Sequence, residues 1–212
     1  AAQGFYGYTY GFIEDEDAAR ASGLYRRGLG HALHALTVIG LSGDIAALPQ
    51  KELEHQLAAL DRAAVPALFW SATCWAKWID MNRDDPARIA EMGKAAALMT
   101  RALELDENYY HGGPHLFFGV YYGAKPPMFG GDFARSAQHF DKARATSGGK
   151  LLLVDMLRAQ YLARQQLDRR QFHERLTAVV NAPSDIFPEM ALANAIARQK
   201  AGQLLKKEEE WF

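Results

Sequence analysis

The sequence predicts an all-α protein of stacked helical hairpins, with about nine helices. The first observation is that apolar residues recur at spacings of three and four from Asp17 to Gln203, which is the period of an amphipathic helix. The second is that β-branched residues rarely alternate with polar ones, so strands are not expected. The third is that helix-breaking residues recur at short intervals, which divides the chain into many short helices.

Clusters of Gly, Pro, Asn and Ser mark the breaks between the predicted helices. They lie at Gly40 to Pro49, Asn82 to Pro86, Asn108 to Pro114, Lys125 to Gly131, Ser147 to Gly149 and Asn181 to Pro188. Helices are therefore predicted at about 17–38, 50–62, 65–80, 86–105, 113–124, 132–146, 150–166, 168–180 and 186–206. Because the connections are short, successive helices should pack side by side as hairpins.

Three pairs of segments resemble each other at spacings of 39 to 48 residues. They are PALFWSA and PHLFFGV, DFARSAQHF and QFHERLTAV, and FGVYY and RAQYL. Each repeated unit reads as a helix, a turn and a second helix. The spacing exceeds the roughly 34 residues of a standard tetratricopeptide repeat, so longer connections are expected.

The repeats predict one helical-repeat domain over residues 1–212. We expect an N-terminal aromatic segment at 1–16, hairpins at about 17–62, 65–105, 113–146 and 150–180, and a C-terminal helix at about 186–206. At the clearest junction, ALELDENYYHGGPHLFFG, Pro114 should occupy the first turn of the next helix. The final LLKKEEEWF predicts a charged last turn anchored by Trp211 and Phe212.

The composition excludes several classes of protein. Lys and Arg total 24 against 25 Asp and Glu, so there is no electrostatic reason to expect a nucleic acid or an anionic membrane as partner. No stretch approaches the ~20 apolar residues of a membrane helix, and an export signal would have to lie upstream of this sequence. The single cysteine, Cys74, lies among aromatic residues on a predicted helix, where we expect it to be an inert core residue.

The stretch YYGAKPPMFGGD, residues 121 to 132, could be a phosphate-binding loop or a turn between helices. A phosphate-binding loop needs Lys and then Ser or Thr after its glycines, whereas Lys125 precedes the glycines here. The prolines should instead end one helix, and Asp132 should cap the next. We therefore predict a turn in which Gly130 or Gly131 has positive φ, with the alternative that this turn also lines a site.

No pattern of residues predicts a metal site, a cofactor or catalysis. His31 and His34 are three residues apart, but no further ligand lies at a convincing distance. His111 and His115 are separated by two glycines and a proline, so they should not share one regular helical face. Neither a nucleophile motif nor a Ser/His/Asp grouping is visible, and the sequence therefore predicts a protein that is not an enzyme.

Aromatic residues are the unusual feature of the chain, with 11 Phe, 9 Tyr and 4 Trp. One narrow helical face cannot hide all of them, because neighbours such as Trp70 and Trp75 point about 140° apart on a helix. Many should pack between hairpins, and the rest could line an apolar groove or an interface. The candidate ligand- or partner-binding residues are Phe5, Tyr6, Tyr8, Tyr10, Trp70, Trp75, Tyr121, Tyr122, Lys125 and Phe129.

The N-terminal aromatic segment, Phe5 to Phe12, should be covered because such a segment is unusual at a terminus left in water. Its own first hairpin could cover it, around Leu24, Leu33 and Leu36. A neighbouring subunit could cover it instead.

Three ordered groups of residues carry a resemblance to a known family. They are Lys125-Pro126-Pro127 with Gly130-Gly131-Asp132, then Gly148-Gly149-Lys150, and then Asn181-Ala182-Pro183 to Ala191-Leu192-Ala193-Asn194. Together they resemble the T component associated with TRAP transporters, the TatT family, from roughly Phe5 to Phe212. This resemblance implies a tetratricopeptide-like α-solenoid that is exported to the periplasm, is typically a lipoprotein, and assembles as a homotrimer with apolar cavities.

The resemblance also implies a function beside the substrate-binding P component of a tripartite ATP-independent transporter. Our leading hypothesis is a non-enzymatic accessory subunit that binds this P component and an apolar or carboxylated small molecule. The alternative is a helical-repeat scaffold for protein–protein interaction that binds no small molecule. The sequence carries over no individual ligand residue from the family.

Overall fold

The computed structural model describes residues 1–212 and is built of helices and turns, without a β-strand. The predicted all-α fold class is therefore confirmed. The chain divides into two compact units, residues 1–107 and 108–212. This boundary falls between the second and third predicted hairpins, and the continuous solenoid stays a prediction.

The helices of the first unit are α1 (Ala2–Phe12), α2 (Ala18–Val38), α3 (Gln50–Ala58), α4 (Val65–Asp80), α5 (Pro86–Ala90) and α6 (Met92–Leu105). Those of the second unit are α7 (Tyr109–Gly123), α8 (Phe133–Thr146), α9 (Leu152–Arg158), α10 (Arg169–Asn181), α11 (Ala191–Leu205) and α12 (Glu208–Trp211). Short 3-10 turns lie at Arg62–Ala64, Pro127–Phe129 and Pro188–Met190, and a π-helical turn spans Ala159–Ala163.

Helix α4 is the centre of the first unit, because α1, α2 and α6 all pack against it. Its sequence, VPALFWSATCWAKWID, is apolar on more than one face, as a helix with several neighbours requires. Pro66 lies in the first turn, where its missing N–H costs no helical hydrogen bond. Cys74 is fully buried as predicted, and burial raises the pKa of its thiol to about 12, so the thiolate is not available at neutral pH.

The second unit packs α7 against α8 and places α9 between neighbouring helices. Its core includes the buried side chains of Phe140, Leu151, Val154 and Leu162. The predicted anchoring of the C-terminus is confirmed, since the rings of Trp211 and Phe212 lie 6.0 Å and 5.2 Å from the buried ring of Phe172.

Helix α7 is interrupted near its start by three successive left-handed residues. Tyr110, His111 and Gly112 have φ of 49°, 59° and 81°, and the regular helix begins after them with Pro114 in its first turn. The prediction that His111 and His115 do not share a regular helical face is therefore confirmed. A Cβ at Gly112 would lie 3.1 Å from the Cα of Ala143, so the glycine also permits close contact with α8.

Several predicted helix boundaries were wrong. The N-terminal segment forms α1, although its three glycines and lack of a polar periodicity gave no helix signal, because packing against α2 and α4 stabilises it. The helix predicted at 50–62 ends at Ala58, and the one predicted at 86–105 is divided near Glu91. The helix predicted at 186–206 begins only at Ala191, after a 3-10 turn opened by Pro188.

Asn194 joins two of the segments that carry the family resemblance. Its side chain, only 1% exposed, accepts from the backbone N–H of Leu152 at 2.9 Å and donates to the carbonyl of Lys150 at 2.9 Å. It therefore provides partners for backbone groups at the start of α9 that burial would otherwise leave unpaired. Gly148 and Gly149, with φ of 58° and 72°, form the turn that leads into this contact.

Candidate ligand and partner surfaces

Tyr6 is the centre of the aromatic group in the first unit. Its ring lies 5.7 Å from that of Trp70 and 5.8 Å from that of Tyr25, and it stacks on Tyr10 at 5.8 Å. Tyr25 and Trp70 are buried, whereas Tyr6 and Tyr10 are half-buried. The structure therefore brings the candidate binding residues Tyr6, Tyr10 and Trp70 into one group. The sequence alone could not show that they lie together.

Other α1 side chains point away from this group. The ring of Phe5 stacks on His31 at 5.5 Å and lies 5.0 Å from the guanidinium carbon of Arg27. Tyr8 and Phe12, whose rings are 6.0 Å apart, are 47% and 52% exposed. The first unit thus covers part of the N-terminal aromatic segment itself and leaves Tyr8 and Phe12 at its surface.

Trp75 lies in the core of the first unit. Its side chain is 0% exposed, and its indole N–H donates to the carboxylate of Glu91 at 2.9 Å. Glu91 also pairs with Arg88 at 2.6 Å, which compensates its charge. Trp75 therefore presents no surface to a ligand or partner in this structure.

A polar cluster lies beneath the aromatic group. Lys77 pairs with Glu14 at 2.6 Å and with Asp80 at 3.3 Å, and Tyr25 donates to Glu14. Burial raises the pKa of the Tyr25 hydroxyl, and the neighbouring Tyr6 and Glu14 raise it further. Burial alone would also raise the pKa of Asp80, but the charges of Lys77 and Arg83 outweigh it and lower the pKa. The cluster is internally neutralised, which indicates a structural role in joining α4 to the segment after α1.

In the second unit, an aromatic stripe runs along α7. It consists of Phe117, Phe118, Tyr121 and Tyr122, and His139 of α8 lies beside it. The rings of Phe118 and Tyr122 stack at 5.9 Å, and that of His139 lies 5.3 Å and 5.8 Å from them. Phe118 is buried, whereas the two tyrosines are half-buried and keep part of their surface accessible.

Two cations lie over the tyrosines of this stripe. The ammonium of Lys125 is 5.0 Å from the ring of Tyr121, and the guanidinium of Arg135 is 5.4 Å from that of Tyr122. Burial and the adjacent Tyr122 raise the pKa of the Tyr121 hydroxyl, which therefore stays protonated at neutral pH. A surface of aromatic rings and cations of this kind is better suited to binding an amphiphilic ligand or a partner protein than to catalysis.

His115 and His139 form a close pair of rings. Their Nδ1 atoms lie 2.9 Å apart, so one nitrogen must donate and the other accept. Burial, the nearby His115 and the positive charges of Lys142 and Arg135 lower the pKa of His139 to about 4. His139 is therefore uncharged at neutral pH. No group of three or more His, Cys, Asp or Glu residues is arranged to hold a metal ion.

The segment after α7 is a turn between helices, as predicted. Gly130 has φ of 84°, and the 3-10 turn Pro127–Phe129 precedes it. A Cβ on Gly131 would lie 1.8 Å from the carbonyl oxygen of Lys125, so only glycine fits there. The prediction of a positive φ at one of these glycines is confirmed.

Asp132 fixes the end of the turn, and two apolar side chains project from its middle. The Asp132 side chain accepts from the N–H of Arg135 at 2.9 Å, which confirms the predicted helix cap, and its own N–H donates to the carbonyl of Tyr122 at 3.0 Å. Met128 and Phe129 are 83% and 69% exposed. We call Pro127–Gly130 the Met128–Phe129 turn.

The second unit thus brings Tyr121, Tyr122 and Lys125 together at one end of α7, with Phe129 in the turn that follows. Sequence reasoning missed Met128, Arg135 and His139. Met128 lies next to Phe129 in a segment between helices, so its exposure could have been predicted from the sequence. His139 and Arg135 lie on another helix, so only the packing of α7 against α8 shows their place.

Comparison with known proteins identifies the family. The model of the family described as TAtT, TRAP transporter T-component, matches residues 1–212. The chain belongs to this family. The match covers both units, and the family is one of transporter accessory proteins. No curated protein matches the chain.

Family membership agrees with the structure of the segments that first indicated it. Gly131, Asp132 and Asn194 all have structural roles in turns or at helix starts. No helix is both long enough and apolar enough to cross a membrane.

Proposed function

We propose that the chain is a non-enzymatic accessory subunit of a tripartite ATP-independent transporter that binds the substrate-binding P component. The observation that carries this proposal is the family match, which extends over the whole chain. The surfaces described above support it, because they offer exposed aromatic and apolar side chains and no grouping of catalytic residues.

The Met128–Phe129 turn is the best candidate for contact with the P component. Two large apolar side chains are exposed on a segment bounded by two prolines and by Gly131, where no other residue fits, which limits the conformational freedom lost on binding. Lys125 and Tyr121 lie beside it and would extend the contact. Pre-organised apolar anchors of this kind often dominate binding energy at protein interfaces.

A binding assay with the P-type protein encoded in the same genome tests this proposal. We expect the double variant Met128→Asp/Phe129→Asp to bind at least about tenfold more weakly, because two apolar anchors become charged. The matched control is Val38→Asp/Ile39→Asp, an adjacent apolar pair in the first unit that is 73% and 43% exposed. Equal loss in both variants, or no loss in either, would contradict a role for the turn.

The α7 stripe supports a second part of the proposal, a small apolar ligand. Tyr121 and Tyr122 remain partly accessible beside buried Phe118, and Lys125 and Arg135 could meet a polar end of such a ligand. Native mass spectrometry of gently purified protein separates this idea from the scaffold alternative. A retained small molecule supports the ligand, whereas a clean apo mass supports a scaffold.

The periplasm is the proposed location, with a lipid anchor on the native protein and a homotrimer as the assembly. These features rest on the family to which the chain belongs. The exposed Tyr8 and Phe12 are consistent with a subunit contact, because large aromatic side chains are enriched at interfaces.

A further inference from the structure

An open, arginine-rich cavity lies on the surface of the second unit, and none of its lining residues belongs to α7. It has a volume of about 420 Å³, within the range of small-molecule sites. Its lining comes from the end of α8, from α9 and from α10, and the polar side chains are Arg144, Asp155, Arg170, Gln171, Glu174 and Arg175.

Asp155 organises the floor of this cavity. One carboxylate oxygen accepts from Arg175 Nη1 at 2.8 Å, and the other accepts from Arg144 Nε at 3.2 Å. Asp155 is largely buried, with 14% of its side chain exposed, and it pairs with the mostly buried Arg175 and with the more exposed Arg144. Gly149 assists, because a Cβ there would lie 3.3 Å from the guanidinium carbon of Arg144.

The arginines keep hydrogen-bond donors that no protein group uses. Each guanidinium has five N–H donors, and the terminal nitrogens of Arg144 have no hydrogen bond in the structure. The Nε of Arg175 is buried and without a partner. Arg170, 83% exposed, makes only an ion pair with Glu174 at 3.6 Å, which is too long for a good hydrogen bond.

The lining also carries more positive than negative charge, with three arginines against two carboxylates. Arg158 lies close enough to act on Arg175: burial lowers the pKa of Arg175, and the positive charge of Arg158 lowers it further, partly offset by Asp155. Positive groups held near each other in a recess are stabilised by an added anion. Paired guanidinium donors match the oxygens of a carboxylate or a phosphate.

We propose that the cavity bounded by Arg144, Arg170 and Arg175 binds a small organic carboxylate. Arg144 and Arg170 would donate to its oxygens, and Arg175 would supply charge from the floor while remaining paired with Asp155. The inference goes beyond the proposed function, because both the site and the ligand class differ from the apolar molecule proposed at the α7 stripe. It is independent of binding to the P component.

Calorimetric titration of the full chain with citrate tests the proposal, with sodium chloride at matched ionic strength as the reference. We expect saturable binding by the unaltered protein. The variant Arg144→Gln/Arg170→Gln should bind at least about tenfold more weakly, because two charge-assisted contacts are removed. The control Arg20→Gln/Lys51→Gln makes the same charge change in the first unit and should leave the affinity unchanged.

The variant Glu174→Gln provides a test in the opposite direction. It removes a negative charge from the lining at a residue whose side chain is 62% exposed, so the fold should persist. We expect citrate to bind about threefold more tightly, because the repulsion between the Glu174 carboxylate and the carboxylates of citrate is removed. No saturable binding, or equal affinity in all variants, would overturn the proposal. So would binding confined to a tetraglutamate peptide, which would identify a protein segment as the ligand.

Discussion

Leu167 is the clearest strained residue in the second unit. It has φ of 55°, where a branched side chain is unfavourable, and 75% of it is exposed, so burial offers little compensation. The N–H of Asp168 bonds back to the carbonyl of Ala163 across it, as at helix ends that usually place glycine here. We expect Leu167→Gly to raise the free energy of unfolding by about 0.5–1 kcal/mol in urea titrations.

Leu192 provides the control for that substitution. It is also largely exposed, at 63%, but it lies in the first turn of α11. Leu192→Gly should therefore lower the free energy of unfolding, because glycine is a poor helix former. The same sign for both variants would contradict the assignment of strain to Leu167.

Gly131 gives a second prediction at this scale. Because its Cβ would lie 1.8 Å from the carbonyl oxygen of Lys125, Gly131→Ala must displace the backbone of the turn. We expect a loss of about 2–4 kcal/mol, measured by thermal or urea unfolding. Gly23→Ala in α2, where a Cβ meets nothing within 4 Å, should instead stabilise by about 0.5–1 kcal/mol. A tolerated Gly131→Ala would mean that the turn is not rigid.

The backbone conformation of a residue could be predicted where its own type and its neighbours in the sequence determine it. Positive φ at Gly130 was predicted because two glycines follow two prolines before a capping aspartate. Positive φ at Tyr110, His111 and Leu167 was not predicted, since residues with a side chain seldom adopt it unless the surrounding structure imposes it.

At the scale of the elements, the contact between α7 and α8 should depend on pH through His115 and His139. The pKa of His139 is about 4 in the folded protein against an ordinary 6.5, so the unfolded chain binds the proton more readily. The stabilising contribution of neutral His139 is therefore complete above pH 6.5 and is lost as the pH falls towards 4. Urea unfolding at stepwise pH should show the loss.

The variant His139→Phe isolates this contribution from the carboxylates that also titrate near pH 4. Phenylalanine keeps the ring beside Phe118 and Tyr122 but cannot be protonated. Its stability should fall less steeply between pH 6.5 and pH 4 than that of the unaltered protein. Parallel curves for the two proteins would show that the histidine pair does not contribute to the pH dependence.

Helix boundaries could be predicted where capping residues mark them. The start of α10 was predicted within one residue, because the Asp168 side chain caps it and accepts from the N–H of Gln171. The π-helical turn Ala159–Ala163 could not be predicted, since its residues also suit an ordinary α-helix. The α1 helix was not predicted because its glycines disfavour a helix, and only its packing against α2 and α4 stabilises it.

For the whole molecule, the exposed aromatic pair Tyr8 and Phe12 predicts self-association. Tyr6 is a poorer test of the interface, because its contacts with Tyr25 and Trp70 lie within the first unit. We expect Tyr8→Asp/Phe12→Asp to shift the protein from trimer to monomer in sedimentation velocity, with an unchanged helical circular dichroism spectrum.

The control for this prediction is again Val38→Asp/Ile39→Asp, which adds the same charge at another exposed apolar pair. It should leave the sedimenting species unchanged. If the unaltered protein sediments as a 23.6 kDa monomer at tens of micromolar, the trimer proposal is wrong, and Tyr8 and Phe12 are simply exposed.

The proposed role of this chain, as the T component beside a P-type binding protein, requires that the two proteins bind each other. The most direct measurement is sedimentation velocity of the labelled P component from the same genome, titrated with the unlabelled full chain. We expect a faster-sedimenting complex that saturates with increasing chain concentration and is weakened by Met128→Asp/Phe129→Asp. A sedimentation coefficient of the P component that stays constant up to tens of micromolar chain would contradict it.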